Sequence, residues 1–387
     1  RATSVNSVVL IANAISFAIM TFIYTVFGGC ADHGDFDQWI LLFLSCVWWA
    51  TQLGLIGVTD PSQWRAAMAL YIIGFTTYGA ALVFIAACLP RLSRNTPDAR
   101  KAREEFHRGL IKQEEHDQRL SLEKNRLSMI SSVHFNIGSF FTLLLSLIIV
   151  FFNATARLTT NWTIVVVSSS FYSILVGIWW FVFQKKRPGL PLPERQSYIT
   201  IGVWTLYRAL KGCRQLPQTF LYLVASFLLA DGVNTTTTLI YIVQGEAVNF
   251  SPLLLTYLNL AQAGTSVISV WVWWYIQSHF NLKTKQMFTA ATVATVIIPL
   301  WGTLGIFTDK IGFHNRWEFW MYNFFVAVFQ TPYYAYSVTM IAELTPPGHE
   351  KMFFSLYGFS NRASSLIGPS IIQAIINHTG SNWSGRP

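Results

Sequence analysis

The 387-residue sequence predicts an all-helical protein that crosses a lipid bilayer many times, and three observations carry that prediction. Of its residues 52% are hydrophobic and 16% aromatic while only 12% are charged, a balance outside the range of soluble globular chains. Apolar runs recur at the length a bilayer-spanning helix needs, about 20 residues. Lysine and arginine, finally, collect on one side of the alternating loops.

Taken in order, the runs fall at 6–29, 39–58, 66–89, 132–153, 162–183, 218–243, 251–276, 286–306, 317–341 and 353–378. Several are much longer than the core of a signal peptide, so none reads as a cleaved leader. Segments 30–38, 90–131, 184–217, 277–285 and 342–352 share one side and hold 20 of the 27 Lys and Arg residues. Arg1, Arg65, Arg157, Lys310, Arg316 and Arg386 fall on the other side, and Arg362 falls within a span. The richer side is therefore expected to be cytosolic, and the net charge of +9 is a topology signal with no need of a nucleic-acid partner. Glycosylation-type triplets at Asn153, Asn161, Asn249, Asn377 and Asn382 all lie on or beside the opposite side, expected to be lumenal or extracellular. Asn234-Thr235-Thr236 is a further match inside a span. Cys30, Cys88 and Cys213 lie toward the cytosolic side and Cys46 within a span, so no structural disulfide is expected.

Two cytosolic loops divide the spans into groups of three, two and five. Loop 90–131 holds ten basic and seven acidic residues and reads as a solvated helical extension. Loop 184–217 opens with prolines that stop a helix, then continues into a stretch where Ile199, Val203, Leu206 and Leu210 recur at helical spacing with Arg208, Lys211 and Arg214 beyond. That pattern suggests a helix lying on the cytosolic membrane face. The expected organisation is an N-terminal bundle of five spans at 1–183, a central linker at 184–217 and a C-terminal bundle of five spans at 218–387.

Gly28, Asp32 and Gly34 match the Gly-x-x-x-Asp-x-Gly loop motif of the major facilitator superfamily, which joins its second and third helices. The basic residues that usually follow are replaced by Asp35 and Asp37. This resemblance makes the ten visible spans helices two to eleven of a twelve-helix, two-bundle plan. A denser match is Pro347, Gly348, Glu350, Phe353, Phe354, Leu356, Tyr357, Gly358, Arg362, Ser364, Ser365, Gly368 and Pro369, which with 216–236 resembles the autophagy-related vacuolar amino-acid effluxers of fungi. Pro346-Pro347 stands where Pro-Glu is expected, and Arg362 where the family more often has lysine. The resemblance implies a multi-pass carrier of the vacuole membrane that moves amino acids released by autophagic degradation into the cytosol, with no cofactor.

Asp231 gives that expectation a chemical centre. It lies thirteen residues into its span, ~20 Å deep at 1.5 Å per residue, too far to snorkel. A carboxylate there costs about 2.5–3.5 kcal/mol on insertion scales, so such residues face a cavity or a partner. Asn234, Thr235 and Thr238 extend a polar stripe along the same face. Further stripes run through Asn259, Gln262, Ser266 and Ser269; through Asn323, Gln330, Tyr334 and Ser337, beside the kink expected at Pro332; and through Ser355, Gly358, Arg362 and Ser365. Arg362, ~14 Å deep, is within reach of Asp231 if both helices border one cavity. Asp231 then carries a proton or a substrate ammonium, and Arg362 binds a carboxylate or tunes the acid. The plainer alternative pairs the two charges only to hold helices together, with the threonines and serines bonding back to their own helices. Asp32 is a candidate conformational latch at the N-terminus of the helix 353–378, or else a simple turn residue.

There is no nucleophile elbow, no Walker loop, no zinc-spaced histidine pair and no haem signature, so an enzyme, an ATP-driven pump and a metal site are all disfavoured. The reading is a monomeric secondary transporter among membrane lipids, working by alternating access. Its rivals are a carrier of another solute, such as a lipid, sugar or peptide, and a non-transporting scaffold or sensor.

Overall fold

A computed structural model describes residues 5–34, 36–152, 158–184, 189–192, 197–211, 215–247, 250, 252–305, 307–308 and 310–379. Its helices are α1 (Val5–Cys30), α2 (Phe36–Gly54), α3 (Trp64–Ala86), α4 (Leu89–Arg94), α5 (Pro97–His107), α6 (Gln113–Phe152), α7 (Leu158–Phe183), α8 (Tyr198–Lys211), α9 (Pro217–Ala247), α10 (Pro252–Phe280), α11 (Thr284–Leu304), α12 (Arg316–Phe325), α13 (Thr331–Leu344) and α14 (Glu350–Thr379). The all-helical expectation is met, and among the described residues eight helices are long and apolar enough to cross a membrane. Runs 317–341 and 353–378 are helical as well, the first as α12 and α13 joined by a π-helical turn at Val326–Gln330. Exposed Trp39, Phe43, Phe171, Trp179 and Ile268 mark outward faces suited to lipid.

Contacts divide the chain into two units that interleave along the sequence. One comprises Arg1–Cys88, Ile148–Phe227 and Leu344–Leu366; the other comprises Leu89–Leu147, Leu228–Glu343 and Ile367–Pro387.

The first unit is centred on buried Met20, Tyr24, Leu41, Leu44, Ala80, Phe84 and Ile201. Lipid tails are as apolar as these side chains, so helices in a membrane gain by close packing rather than by leaving water. Small residues permit the closest approach, as where α8 crosses α1. A Cβ on Gly29 would lie 2.9 Å from the Gly202 carbonyl, and one on Gly202 would collide with the Val26 carbonyl. The buried face of α8 is accordingly Ile201, Gly202 and Thr205, while Val203 stays exposed. The stretch expected to be helical by its spacing is helical, as α8, and the backbone contact at Gly202 fixes the face it turns to α1, leaving Val203 of the apolar stripe exposed. The side chains of Ile199 and Leu210 lie outside the described ones.

In the second unit, α6 runs for 40 residues, ~60 Å at 1.5 Å per residue and twice the ~30 Å hydrocarbon thickness. Its charged first half forms the extension expected for loop 90–131, and α4 and α5 precede it. Thr96 caps α5 by accepting the Ala99 N–H, with Pro97 at the first helical position and Asp98 in the first turn. Arg119 pairs with Glu105 and Glu115 at 2.6 Å, and Arg126 with Asp98 at 3.1 Å. At the start of α11 and the end of α13, Thr284 donates to Glu343 at 2.7 Å and accepts from fully buried Asn125 of α6 at 2.7 Å.

The kink expected at Pro332 takes the form of the π turn. Pro332 has no N–H for the carbonyl four residues back, that of Val328. That carbonyl accepts instead from Ser269 Oγ at 2.9 Å and Trp273 Nε1 at 2.8 Å on α10. At the head of α12, buried Glu318 accepts from the N–H groups of Gly312, His314 and Asn315 and from Trp301 Nε1.

Candidate functional site

Asp32 is fully buried just beyond the end of α1, and its two oxygens accept separate backbone bonds from the first turn of α14. Lys351 N–H donates to Oδ1 at 2.9 Å and Met352 N–H to Oδ2 at 3.0 Å. These are amides that a helix N-terminus leaves without intrahelical partners, and the helix dipole there favours an anion. The backbone of the same loop pairs with the linker: Leu190 N–H donates to the Asp32 carbonyl, Gly34 N–H to the Leu190 carbonyl and Gly189 N–H to the Gly34 carbonyl, all at 2.8–2.9 Å. Gly34 adopts φ +60°, and a side chain on Gly28 would collide with Ser355 Oγ of α14. The three motif positions thus serve a buried anion, a left-handed turn and a close helix crossing. In the turn before α14, burial, with His33 and Arg208 nearby, holds the His349 imidazole below the usual histidine range, against the opposing charge of Glu350.

Asp231 is held differently. Among the described residues its carboxylate accepts one hydrogen bond, from the Gly368 N–H of α14 at 3.0 Å. A Cβ on Gly368 would collide with Thr235 Oγ1 and lie 2.9 Å from Asp231 Oδ1, so glycine is what lets α14 approach α9 here. The Thr235 hydroxyl is buried with no hydrogen-bond partner among the described residues. On the same helix, Gly232, Thr235, Thr236 and Thr237 help line a mostly apolar cavity of about 270 Å³, to which Leu228, Leu229 and Val233 of α9, Thr292, Thr295, Val296, Ile298 and Pro299 of α11, and Tyr322, Gln330 and Tyr333 also contribute. Thr236, Thr292 and Thr295 donate back to carbonyls of their own helices, which leaves their oxygens as acceptors.

Arg362 belongs to the first unit and Asp231 to the second. The guanidinium lies 5.1 Å from the centroid of the Phe75 ring and beside Gly79 of α3. It donates a hydrogen bond to the Tyr24 hydroxyl oxygen, and its charge also acts on Tyr71 and Tyr78. Tyr71 in turn donates to Asn13 Oδ1 at 2.8 Å. The Tyr24 hydroxyl donates its own proton to the Gly79 carbonyl at 3.2 Å, so the protons of Tyr24 and Tyr71 are already committed within the protein.

The remaining stripe residues separate by environment. Gln330 is buried, lines the cavity and donates to the exposed Tyr334 hydroxyl at 3.3 Å. Asn234 and Gln262 are half-buried and Asn259 is exposed, while Thr238 donates to the Asn234 carbonyl at 2.8 Å. Ser266 bonds Thr331 at 3.0 Å and, with Ser269, joins α10 to the π turn. The side chains of Ser365, Asn161 and Asn377 lie outside those described, as do residues Asn153, Asn249 and Asn382 altogether.

Sequence reasoning passed over Thr292, Thr295, Tyr322 and Tyr333, which complete the cavity, and Asn13, Tyr24, Tyr71 and Tyr78, which surround Arg362. Spacing alone contained part of the signal, since Tyr71, Phe75 and Tyr78 share a helix face, as do Thr292 and Thr295.

Comparison with known proteins adds a lineage. Residues 1–386 match the family described as "Vacuole effluxer Atg22 like". The chain is 26% identical over 433 residues to autophagy-related protein 22-1 of Penicillium rubens, covering 95% of this chain and 72% of the relative. It is 27% identical over 421 residues to autophagy-related protein 22 of Coccidioides immitis, covering 95% and 69%.

Proposed function

Because the chain belongs to the vacuole effluxer Atg22 like family, we propose that it is a secondary transporter exporting amino acids from the vacuole lumen to the cytosol after autophagic degradation. On this reading it is a multi-pass protein of the vacuole membrane with loops 90–131 and 184–217 in the cytosol. Its ten spans are helices two to eleven of the major-facilitator plan, grouped as 1–183 and 218–387 about the linker, and it works as a monomer by alternating access.

The observation that carries the proposal is Asp231. A carboxylate deep in an apolar span, with one amide donor among the described residues and an unpartnered threonine hydroxyl next to it, at the side of a mostly apolar cavity that this threonine helps line, retains capacity to take a proton or an ammonium. Arg362, in the other unit, is a second half-buried charge whose guanidinium has affinity for a carboxylate. Asn234, Thr235, Thr238, Asn259, Gln262, Gln330, Tyr334 and Ser365 serve the pathway. Gly28, Asp32 and Gly34 serve as a latch, closed when Asp32 holds the first turn of α14.

In reconstituted vesicles loaded with labelled amino acids, the wild-type chain is expected to show efflux that changes with lumenal pH. Asp231→Asn is expected to lose that pH dependence and at least ~90% of the rate, a barrier increase of roughly 1.4 kcal/mol or more. An Asp231→Asn protein with unchanged rate and pH response would remove the assignment.

A further inference from the structure

We propose that α8 is a binding site for anionic phospholipid, whose headgroups engage Trp204, Tyr207, Arg208 and Lys211. These four residues follow one another at i, i+3, i+4 and i+7 and so share a face, and all four are exposed. The opposite face, Ile201, Gly202 and Thr205, is buried against α1. The helix is therefore anchored on one side and open on the other.

Three features say what covers the open side. First, position: α8 packs on Val26 and Gly29, in the last turn of a candidate membrane span that runs from Ile11 to Cys30, which sets it at the level where hydrocarbon gives way to headgroups. Second, composition: Trp204 and Tyr207 are amphipathic rings of the kind enriched at that level, and the Arg208 guanidinium stacks on Trp204, fixing its planar fork beside the ring. Third, charge: α8 contains no acidic residue, and segment 184–217 holds seven Lys and Arg against the single acid Glu194. A neutral headgroup surface leaves that charge unmatched, whereas phosphatidylserine or phosphatidylinositol matches it, with guanidinium and ammonium on phosphate oxygens. A helix facing a protein partner through this stripe needs an acidic counterpart instead, and the test distinguishes the two. The inference rests on the topology above, in which loop 184–217 faces the anionic cytosolic leaflet.

The test uses the full chain in nanodiscs of phosphatidylcholine with a rising fraction of phosphatidylserine, read by hydrogen exchange of amides 198–211. In the wild type, anionic lipid is expected to slow exchange across α8. R208Q/K211Q is expected to need far more anionic lipid for the same protection, since each basic residue contributes about fivefold and the pair about 25-fold. R208K/K211R retains most of the response. Both positions are exposed, so the variants fold. Equal protection of wild type and R208Q/K211Q, no effect of phosphatidylserine on the wild type, or full protection by inositol phosphate in neutral nanodiscs overturns the proposal. Flux measured in parallel separates the two ideas: lipid-dependent protection without any amino-acid transport sinks the transport reading alone.

Discussion

Asp32, in the turn after α1, and Asp231, within α9, are both buried or half-buried carboxylates of a membrane protein, and they are held in opposite ways. Asp32 is 0% exposed, with a separate backbone donor for each oxygen at a helix N-terminus. Asp231 is half-buried, accepts one amide among the described residues, and neighbours an unpartnered hydroxyl beside a cavity. A saturated carboxylate has little affinity left for anything that arrives, so it fixes structure; an undersatisfied one retains the capacity to bind. Glu318, with three backbone donors and an indole, falls on the Asp32 side of this division. Burial of an acid is thus a weaker marker of function than the number of donors the fold directs at it.

The largest expected effect tests the saturated site. Asp32→Asn replaces one acceptor by an amide group facing an N–H, which is expected to remove about 2–4 kcal/mol from the contacts with α14. Cys30, two residues away, is buried, so its thiol reports the loss. In a background where Cys46, Cys88 and Cys213 are serine, maleimide labelling of Cys30 is expected to rise at least ~10-fold in Asp32→Asn over the parent, with a lowered thermal midpoint. Unchanged labelling would put Asp32 and Asp231 in the same class.

Gly368→Ala comes next, because the added methyl must displace the hydroxyl of Thr235 and crowd Asp231. A stability loss of about 1–3 kcal/mol is expected, together with a fall in transport, from thermal melts and vesicle flux on the same preparation. A neutral result in both measurements would show that the Gly368 amide does not define the surroundings of Asp231.

The smallest change in stability belongs to Thr235→Val, which removes a buried, unpartnered hydroxyl at nearly constant volume. Stability is expected to shift by no more than ~1 kcal/mol, in either direction, while the apparent KM for the transported amino acid rises several-fold. A large stability loss with unaltered KM would assign the hydroxyl to packing, and the cavity would lose its most distinctive polar group.

Much of this was readable without coordinates wherever a rule is local. Apolar run length and loop charge located the helices, and Pro332 announced a break in its helix before the π turn was seen. The motif positions Gly28, Asp32 and Gly34 were identified as a loop, but the short backbone pairing of this loop with Gly189 and Leu190 was not, because a pairing across more than 150 residues leaves no periodicity to read. On α8 the spacing found the helix, while the face that meets α1 was set by the close contact at Gly202, which apolar spacing does not report.

What the sequence determined by itself is the material: helices of bilayer length, a charge asymmetry across the loops, and two ionisable side chains, Asp231 and Arg362, within long, largely apolar helical runs. What only the tertiary structure decided is their company. The donors to Asp32 and Asp231 are main-chain N–H groups of α14, common to every non-proline residue and therefore invisible in residue identity. Helix length and burial preference are written in neighbouring residues, whereas which amide meets which carboxylate depends on how distant helices cross, and that is fixed by packing.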